Sequence, residues 1–153
     1  MRRVWSIVLL LCVVCVFAAS CGDDAPRRSE RTVARDAGVD VDLTALSSVM
    51  VYAEVYNMLT SPLDYIGKVV KADGAYSAMY IEETNSFYHF VVIDDAAACC
   101  QQGLEFIWTG DHVYPDDYPK QAAKIGLTGV FSSYEEYGEI YYCLETDSIT
   151  VLG

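Results

Sequence analysis

Three cysteines in the second half of this 153-residue chain, Cys99, Cys100 and Cys143, are the residues best suited to chemistry. Adjacent cysteines rarely bond each other, because neighbouring Cα atoms lie about 3.8 Å apart and a relaxed disulfide needs about 4.4–6.8 Å. In an oxidising compartment, the first interpretation is therefore a disulfide from Cys143 to Cys99 or Cys100, which leaves one thiol free.

A thiolate metal site is the second interpretation. Cys99, Cys100 and Cys143, completed by a histidine, would suit zinc or monovalent copper, since thiolate and imidazole are ligands of both metals. The adjacent pair would converge on one ion only in an irregular backbone, which the Asp, Ala and Gly residues around 94–103 favour. The third interpretation is that these cysteines are small buried apolar residues.

Two histidines are available to complete such a site. His112 is the better candidate ligand, because it lies in a loop rich in Asp, Pro and Tyr at 111–120. His89 shares a predicted strand face with Phe87, Val91 and Ile93, so we expect a half-buried histidine whose hydrogen bonds are satisfied. The acidic residues of the loop lack the regular spacing of a calcium-binding EF-hand, which favours a solvated loop.

No catalytic motif is recognisable in the chain. G-x-S-x-G, H-E-x-x-H, P-loop and dinucleotide-binding glycine patterns are all missing from the sequence. A Cys-His nucleophile pair, from Cys99 or Cys100 with His112, stays open as an alternative. We therefore expect a non-enzymatic protein with no catalytic residues and no bound cofactor, zinc or copper being the exception that the cysteines allow.

The charge of the chain is strongly acidic, with 22 Asp and Glu against 10 Lys and Arg. Nucleic-acid binding depends on Lys and Arg that neutralise phosphates, so we expect no nucleic-acid partner. The same acidity disfavours attachment to anionic lipids through a basic patch.

The elements that must position these side chains are one helix and a series of strands. Apolar residues at helical spacing predict a helix at about 46–59, with Ser47 or Ser48 as N-cap and Pro62 as the stop. Alternating apolar residues and turn signals then predict five strands, the first of them interrupted by Gly74. Their expected ranges are 69–81, 87–93, 103–108, 125–132 and 140–144, with a possible continuation of the last through 149–152.

The glycine and apolar placement of residues 65–76 and 124–131 resembles the first and fourth strands of OB-like domains in secreted bacterial proteins. This resemblance implies a mainly β domain at 43–153, a small five-stranded OB-like Greek-key barrel preceded by one helix. Residues 94–103 are similar to a Cys-Cys loop in the OB-like part of some bacterial envelope proteins of uncharacterised type. Tyrosines are expected on the binding surface or in the core, namely Tyr76, Tyr80, Tyr88, Tyr134, Tyr137, Tyr141 and Tyr142.

The amino-terminal segment has the pattern of an export signal. Arg2 and Arg3 precede an apolar run at 4–17 that is too short to span a membrane. The small residues that follow end at Cys21 and resemble the lipobox of bacterial lipoproteins, which implies a signal peptide at 1–20 and acylation of Cys21. The polar residues of 21–42 predict a disordered, acylated tether.

These observations predict a lipid-anchored protein of the bacterial cell envelope that faces outside the cytoplasm. Its barrel would be a non-enzymatic binding domain for another envelope protein, a peptide or a small ligand. The alternative is zinc or copper binding or trafficking at Cys99, Cys100 and Cys143, and a thiol redox role comes third.

Overall fold

A computed structural model describes residues 38–94 and 101–153. Within these ranges the chain forms seven strands and one α-helix, so the predicted mainly β fold with a single helix is confirmed. Their bounds are β1 Val41–Asp42, α1 Ser48–Thr60, β2 Val69–Ile81, β3 Ser86–Asp94, β4 Gln101–Trp108, β5 Lys124–Glu136, β6 Glu139–Thr146 and β7 Ile149–Val151.

Helix α1 begins and ends close to the predicted residues. Ser47 occupies the N-cap position and its carbonyl accepts the first helical bond from the Val51 N–H at 2.8 Å. Pro62 follows the C-cap and starts a 3₁₀ turn, because proline cannot continue the ladder of an α-helix. The helix packs against β3 and β4, and its Val55 and Met58 side chains are completely buried.

The seven strands belong to one sheet, in the order β1-β2-β3-β4-β6-β5-β7. An additional antiparallel pairing of β2 with β5 brings the sheet back on itself, so β2, β3, β4, β6 and β5 form a barrel-like ring. The β4–β6 pair in this ring is parallel, whereas the other neighbours are antiparallel.

Strand β2 changes partners at Ala75, directly after Gly74, the residue expected to interrupt the strand. Residues up to Ala75 pair with β5, and residues from Ala75 onward pair with β3. A Cβ at Gly74 would collide with the Val92 carbonyl oxygen, so only glycine allows β3 to approach so closely. Gly74 therefore allows the bend that lets β2 pair with β5 along its first half and with β3 along its second half.

The core lies inside the ring because inward side chains alternate along each strand. Tyr76, Phe106, Phe131 and Leu144 are buried from four different strands. Leu43, in a 3₁₀ turn at Leu43–Ala45, joins the same cluster from outside the sheet.

Three elements differ from the expected ranges. Strand β1 falls inside the segment predicted as tether, where Asp40 and Val69 exchange two hydrogen bonds of 2.9 Å. Strand β5 is longer than predicted, since Tyr134 and its neighbours pair with β6. Strand β7 pairs with β5 at its Ile125 end instead of prolonging β6.

The predicted signal peptide at 1–20, Cys21 and residues 22–37 of the predicted tether lie outside the described residues, as do Cys99 and Cys100. Within the described ranges, no helix combines the length and the apolar character needed to cross a bilayer.

Candidate ligand-binding cleft

A cleft opens where β3 and β4 separate. The two strands pair from Asp94 and Gln101 as far as His89 and Phe106. Beyond that point, β3 continues beside β2, while Ile107 and the rest of β4 continue beside β6. The divergence interrupts the wall of the ring and exposes side chains from both of its faces.

The cleft has a volume of about 320 Å³, at the lower end of the range for small-ligand sites, roughly 300–1,000 Å³. Its lining combines aromatic side chains with two carboxylates: Ser86, Phe87, Tyr88, His89, Glu105, Phe106, Ile107, Trp108, Tyr118, Tyr134 and Glu136.

Glu105 is the central polar group of the cleft. It lies on the outer face of β4, between the buried Leu104 and Phe106, and is itself half-buried. The Tyr134 hydroxyl donates to its carboxylate, at 2.8 Å from Oε1 and 3.1 Å from Oε2. Burial raises the pKa of Glu105, the hydrogen bond from Tyr134 lowers it, and the charge of Glu136 raises it.

Glu136 is the second carboxylate, and it is held in the same way. The Tyr88 hydroxyl donates to Glu136 Oε2 at 2.7 Å, which joins β3 to β5 across the opening. Each carboxylate is thus oriented by one tyrosine and keeps further acceptor positions, because an ionised carboxylate offers about four lone-pair sites.

His89 belongs to the aromatic wall. Its Nδ1 lies 2.8 Å from the hydroxyl of the buried Tyr76, and its ring stacks on Tyr118 with centroids 4.0 Å apart. Burial lowers the pKa of His89, so the neutral imidazole is favoured. The expectation of a half-buried histidine with a satisfied hydrogen bond is confirmed.

The loop between β4 and β5 supplies the rest of this wall. Tyr114 packs on Phe87 with ring centroids 4.3 Å apart, and Tyr118 meets Trp108 edge-on at 5.4 Å. His112 stacks on Trp108 at 3.7 Å, so the predicted loop ligand is engaged with an indole ring.

Cys143 lies beneath the polar side of the cleft, beside Glu105 of β4 and Ser132 of β5 in the strand register. Its thiol has no disulfide partner among the described residues, and its side chain is 1% exposed. Burial, followed by the charges of Glu105 and Glu145, raises the pKa of Cys143 to about 12. The thiol is therefore protonated at neutral pH, which makes it a poor nucleophile.

The disulfide and metal hypotheses depend on Cys99 and Cys100, which are outside the described residues, and both stay predictions. Strands β4 and β6 are neighbours, as a disulfide would require. However, Cys143 pairs with Glu105, which is four residues from Gln101, the first residue of β4. At about 3.3 Å per residue, the position of Cys143 is therefore about 13 Å along the strand from the Gln101 end. Among residues 38–94 and 101–153, no three His, Cys, Asp or Glu side chains are grouped to hold a metal ion.

A second groove, of about 400 Å³, lies outside the ring between β1 and β7. It is larger than the cleft, but its lining is mostly short polar and aliphatic side chains. Two of its charges are already paired, Lys71 with Asp42 at 3.9 Å and Asp73 with Lys124 at 3.3 Å. We therefore regard the aromatic cleft as the better candidate site.

The sequence pointed to some of the cleft residues and missed others. The tyrosines are expected on the binding surface or in the core, and the structure shows both outcomes: Tyr88 and Tyr134 line the cleft, and Tyr76 belongs to the core. The sequence pattern does not mark Glu105 or Glu136 as site residues. The available signal for Glu105 is its position as a lone glutamate within the apolar run 104–108. Glu136 has no such signal, because its place in the cleft depends on the β5–β6 pairing.

Comparisons with known proteins identify no family for this chain. No protein-family model matches the chain, and no curated protein is detectably similar to it in sequence.

Proposed function

We propose that this protein is a non-enzymatic binding domain of the bacterial cell envelope, held at a membrane by acylated Cys21, and that it binds its ligand in the β3–β4 cleft. The observation on which the proposal depends is the divergence of β3 and β4, which opens a cleft lined by aromatic rings and two oriented carboxylates. Aromatic side chains with a few convergent polar groups are typical of binding sites.

The ring order supports an OB-like Greek-key barrel as the scaffold. Strands β2 to β6 would be the five OB strands, with β2 long, bent and paired to both β3 and β5. Helix α1 and strands β1 and β7 would be additions to that barrel.

The position of the cleft agrees with this scaffold. OB folds bind ligands on the face of their second and third strands, beside the loops that follow the first and fourth strands. Strands β3 and β4 would be those strands here. The two loops are the turns around Glu83 and Tyr137, and the Tyr137 hydroxyl donates to the Glu83 carbonyl at 3.2 Å.

Binding suits the cleft side chains better than catalysis. His89 is favoured in its neutral form and bonded to Tyr76, and each carboxylate receives a tyrosine hydrogen bond. Such groups orient a ligand, and the protonated Cys143 thiol beneath them is not activated for attack.

The membrane anchor is supported by the sequence alone, through the small residues before Cys21. Two or three fatty chains on one cysteine would hold the protein durably, whereas a single chain binds only marginally. A Cys21→Ala variant should leave the membrane fraction and lose metabolic labelling with a fatty acid. A variant that stays in the membrane would contradict the anchor.

Ligand binding can be tested by NMR on the full-length protein in detergent micelles. A mixture of short peptides and small metabolites should shift the Trp108 indole and Tyr134 signals. Trp108→Ala with Tyr134→Ala should abolish the response. Tyr56→Ala is the matched control, because this exposed tyrosine lies on α1, away from the cleft lining. Shifts confined to other surfaces would contradict the proposed site.

A further inference from the structure

The charge of the cleft restricts the ligands that it can accept. Among the described residues that line the cleft there is no Lys or Arg, while Glu105 and Glu136 both face the opening. In the described part of the chain, the ion pairs join Lys71 to Asp42 and Lys124 to Asp73, so neither cleft carboxylate has a cationic partner there.

The surroundings reinforce this negative potential. Residues 38–153 contain four lysines against 18 Asp and Glu, a formal charge of −14. The Glu105 carboxylate is half-buried and partly shielded from water. An unpaired charge is costly in such surroundings. An anionic ligand would add a further like charge to this site, whereas a cation would neutralise it.

The aromatic wall favours a planar cation. A guanidinium group stacks on aromatic faces and accepts a carboxylate on its edge through two parallel hydrogen bonds. Beside Glu105, the cleft is lined by the partly exposed rings of Tyr118 and Trp108. An arginine side chain could place its apolar stem along the rings and its head against the carboxylates.

We infer that the cleft binds an arginine side chain of a basic peptide segment, with the guanidinium between Glu105 and Glu136 and its stem along Tyr118 and Trp108. This inference rests on the proposed function and adds the chemical class of the ligand.

A pair of isosteric peptides tests the inference by NMR on the full-length protein in detergent. The probes are acetyl-Gly-Arg-Gly-amide and the same peptide with citrulline, which keeps the planar shape of arginine but has no charge. The arginine peptide should shift the Trp108 indole signal and bind at least tenfold more tightly than the citrulline peptide. Its affinity should also fall severalfold when ionic strength rises from about 0.01 M to about 0.15 M, as screening shortens the Debye length.

Glu105→Gln with Glu136→Gln should remove this preference for arginine. Glu135→Gln with Glu139→Gln is the matched control, because it also deletes two charges, at residues of β5 and β6 that do not line the cleft. The control should retain most of the affinity, so a loss equal to that of the cleft variants would reduce the effect to overall charge and overturn the inference.

The outcomes separate the inference from the function on which it rests. Equal shifts by the arginine and citrulline peptides would overturn the cationic ligand and leave a binding cleft. If acetyl-Gly-Glu-Gly-amide or a single-stranded oligonucleotide shifted the cleft signals and the arginine peptide did not, the cationic ligand would likewise be overturned and the binding cleft would remain. No shift at Trp108 or Tyr134 by any probe, including the peptide and metabolite mixture, would overturn both the inference and the proposed site.

Discussion

The Tyr76 hydroxyl lies 2.8 Å from His89 Nδ1 and links the buried core to the wall of the cleft. Tyr76 is 1% exposed on β2, whereas His89 is half-buried on β3 and stacks on the loop residue Tyr118. The tautomer of the imidazole decides which of the two atoms donates in this hydrogen bond, because a hydroxyl can both donate and accept. The hydrogen bond and the stacking on Tyr118 together hold the orientation of the ring in the cleft.

Removing this hydroxyl should destabilise the domain. Tyr76→Phe leaves His89 Nδ1 without its partner, and we expect the free energy of unfolding to fall by about 1–2 kcal/mol. Chemical denaturation measures the change. The control is Tyr80→Phe, whose exposed hydroxyl bonds Asn85 Oδ1 at 2.8 Å and should contribute less than about 0.5 kcal/mol. Equal losses in both variants would contradict the role of the Tyr76–His89 bond.

His89 should make the domain less stable in mild acid. Because burial lowers the pKa of His89 in the folded state, the unfolded chain binds the proton more readily. Its stabilising contribution is present above about pH 6.5 and is lost as the pH falls through the folded pKa. The slope should stay well below the one-proton limit of about 1.4 kcal/mol per pH unit, since the ring is partly solvated.

Thermal unfolding of His89→Gln between about pH 5 and pH 7 measures this contribution. The variant should lose stability less steeply with acid than the unmodified protein. His112→Gln is the control, because its ring packs on Trp108 outside the Tyr76 hydrogen bond. If only the His112→Gln variant changed the slope, the pH dependence would belong to His112 and the prediction for His89 would be wrong.

Glu105 should act in the opposite direction. Burial raises the pKa of Glu105, so its contribution to stability is greatest below its unfolded pKa of about 4.3 and is lost as the pH rises through the folded value. Glu105→Gln keeps an acceptor for Tyr134 and removes the charge. We expect this variant to be more stable at pH 7 by less than about 1 kcal/mol, since solvent screens the carboxylate.

This difference should disappear below about pH 4, where both side chains are neutral. Melting temperatures across the pH range provide the measurement, with Glu135→Gln as the control for overall charge. A Glu105→Gln variant that is less stable at neutral pH would mean that the carboxylate contributes more through hydrogen bonds than burial costs.

Cys143 should be unreactive while the protein is folded. Its burial and raised pKa predict no reaction with a thiol reagent at neutral pH until denaturant is added. Cys143→Ser buries a hydroxyl in its place and should cost about 1–3 kcal/mol. Cys143→Val keeps the site apolar and should cost less. Rapid modification of native Cys143 would contradict its placement beneath Glu105.

The same preparation distinguishes the cysteine hypotheses. In the proposed mature protein, which has lost residues 1–20 and whose Cys21 is acylated, unfolding without a reductant should expose one thiol if Cys143 is joined to Cys99 or Cys100, and three if these cysteines are reduced. Elemental analysis of the native protein should find stoichiometric zinc or copper only if the metal hypothesis is correct. One thiol without metal would exclude the metal site.

The sequence by itself determined the local elements of this protein. Alternating apolar residues placed β2 at its observed bounds, and the helical spacing before Pro62 placed α1 to within two residues. These signals are short-range, because side-chain direction repeats every two residues in a strand and about every 3.6 in a helix. Gly74 was recognisable for the same reason, although its use in changing strand partners was not.

Only the tertiary structure decided which elements meet. Glu105 and Tyr134 are 29 residues apart, and Tyr88 and Glu136 are 48 apart, yet each pair shares a hydrogen bond across the cleft. Such contacts depend on strand register and on where β3 leaves β4, and neither leaves a periodic pattern in the sequence. Strand β1 was not predicted for a related reason. It consists of two residues that bond to a distant strand, and two residues are too few to form a periodic pattern.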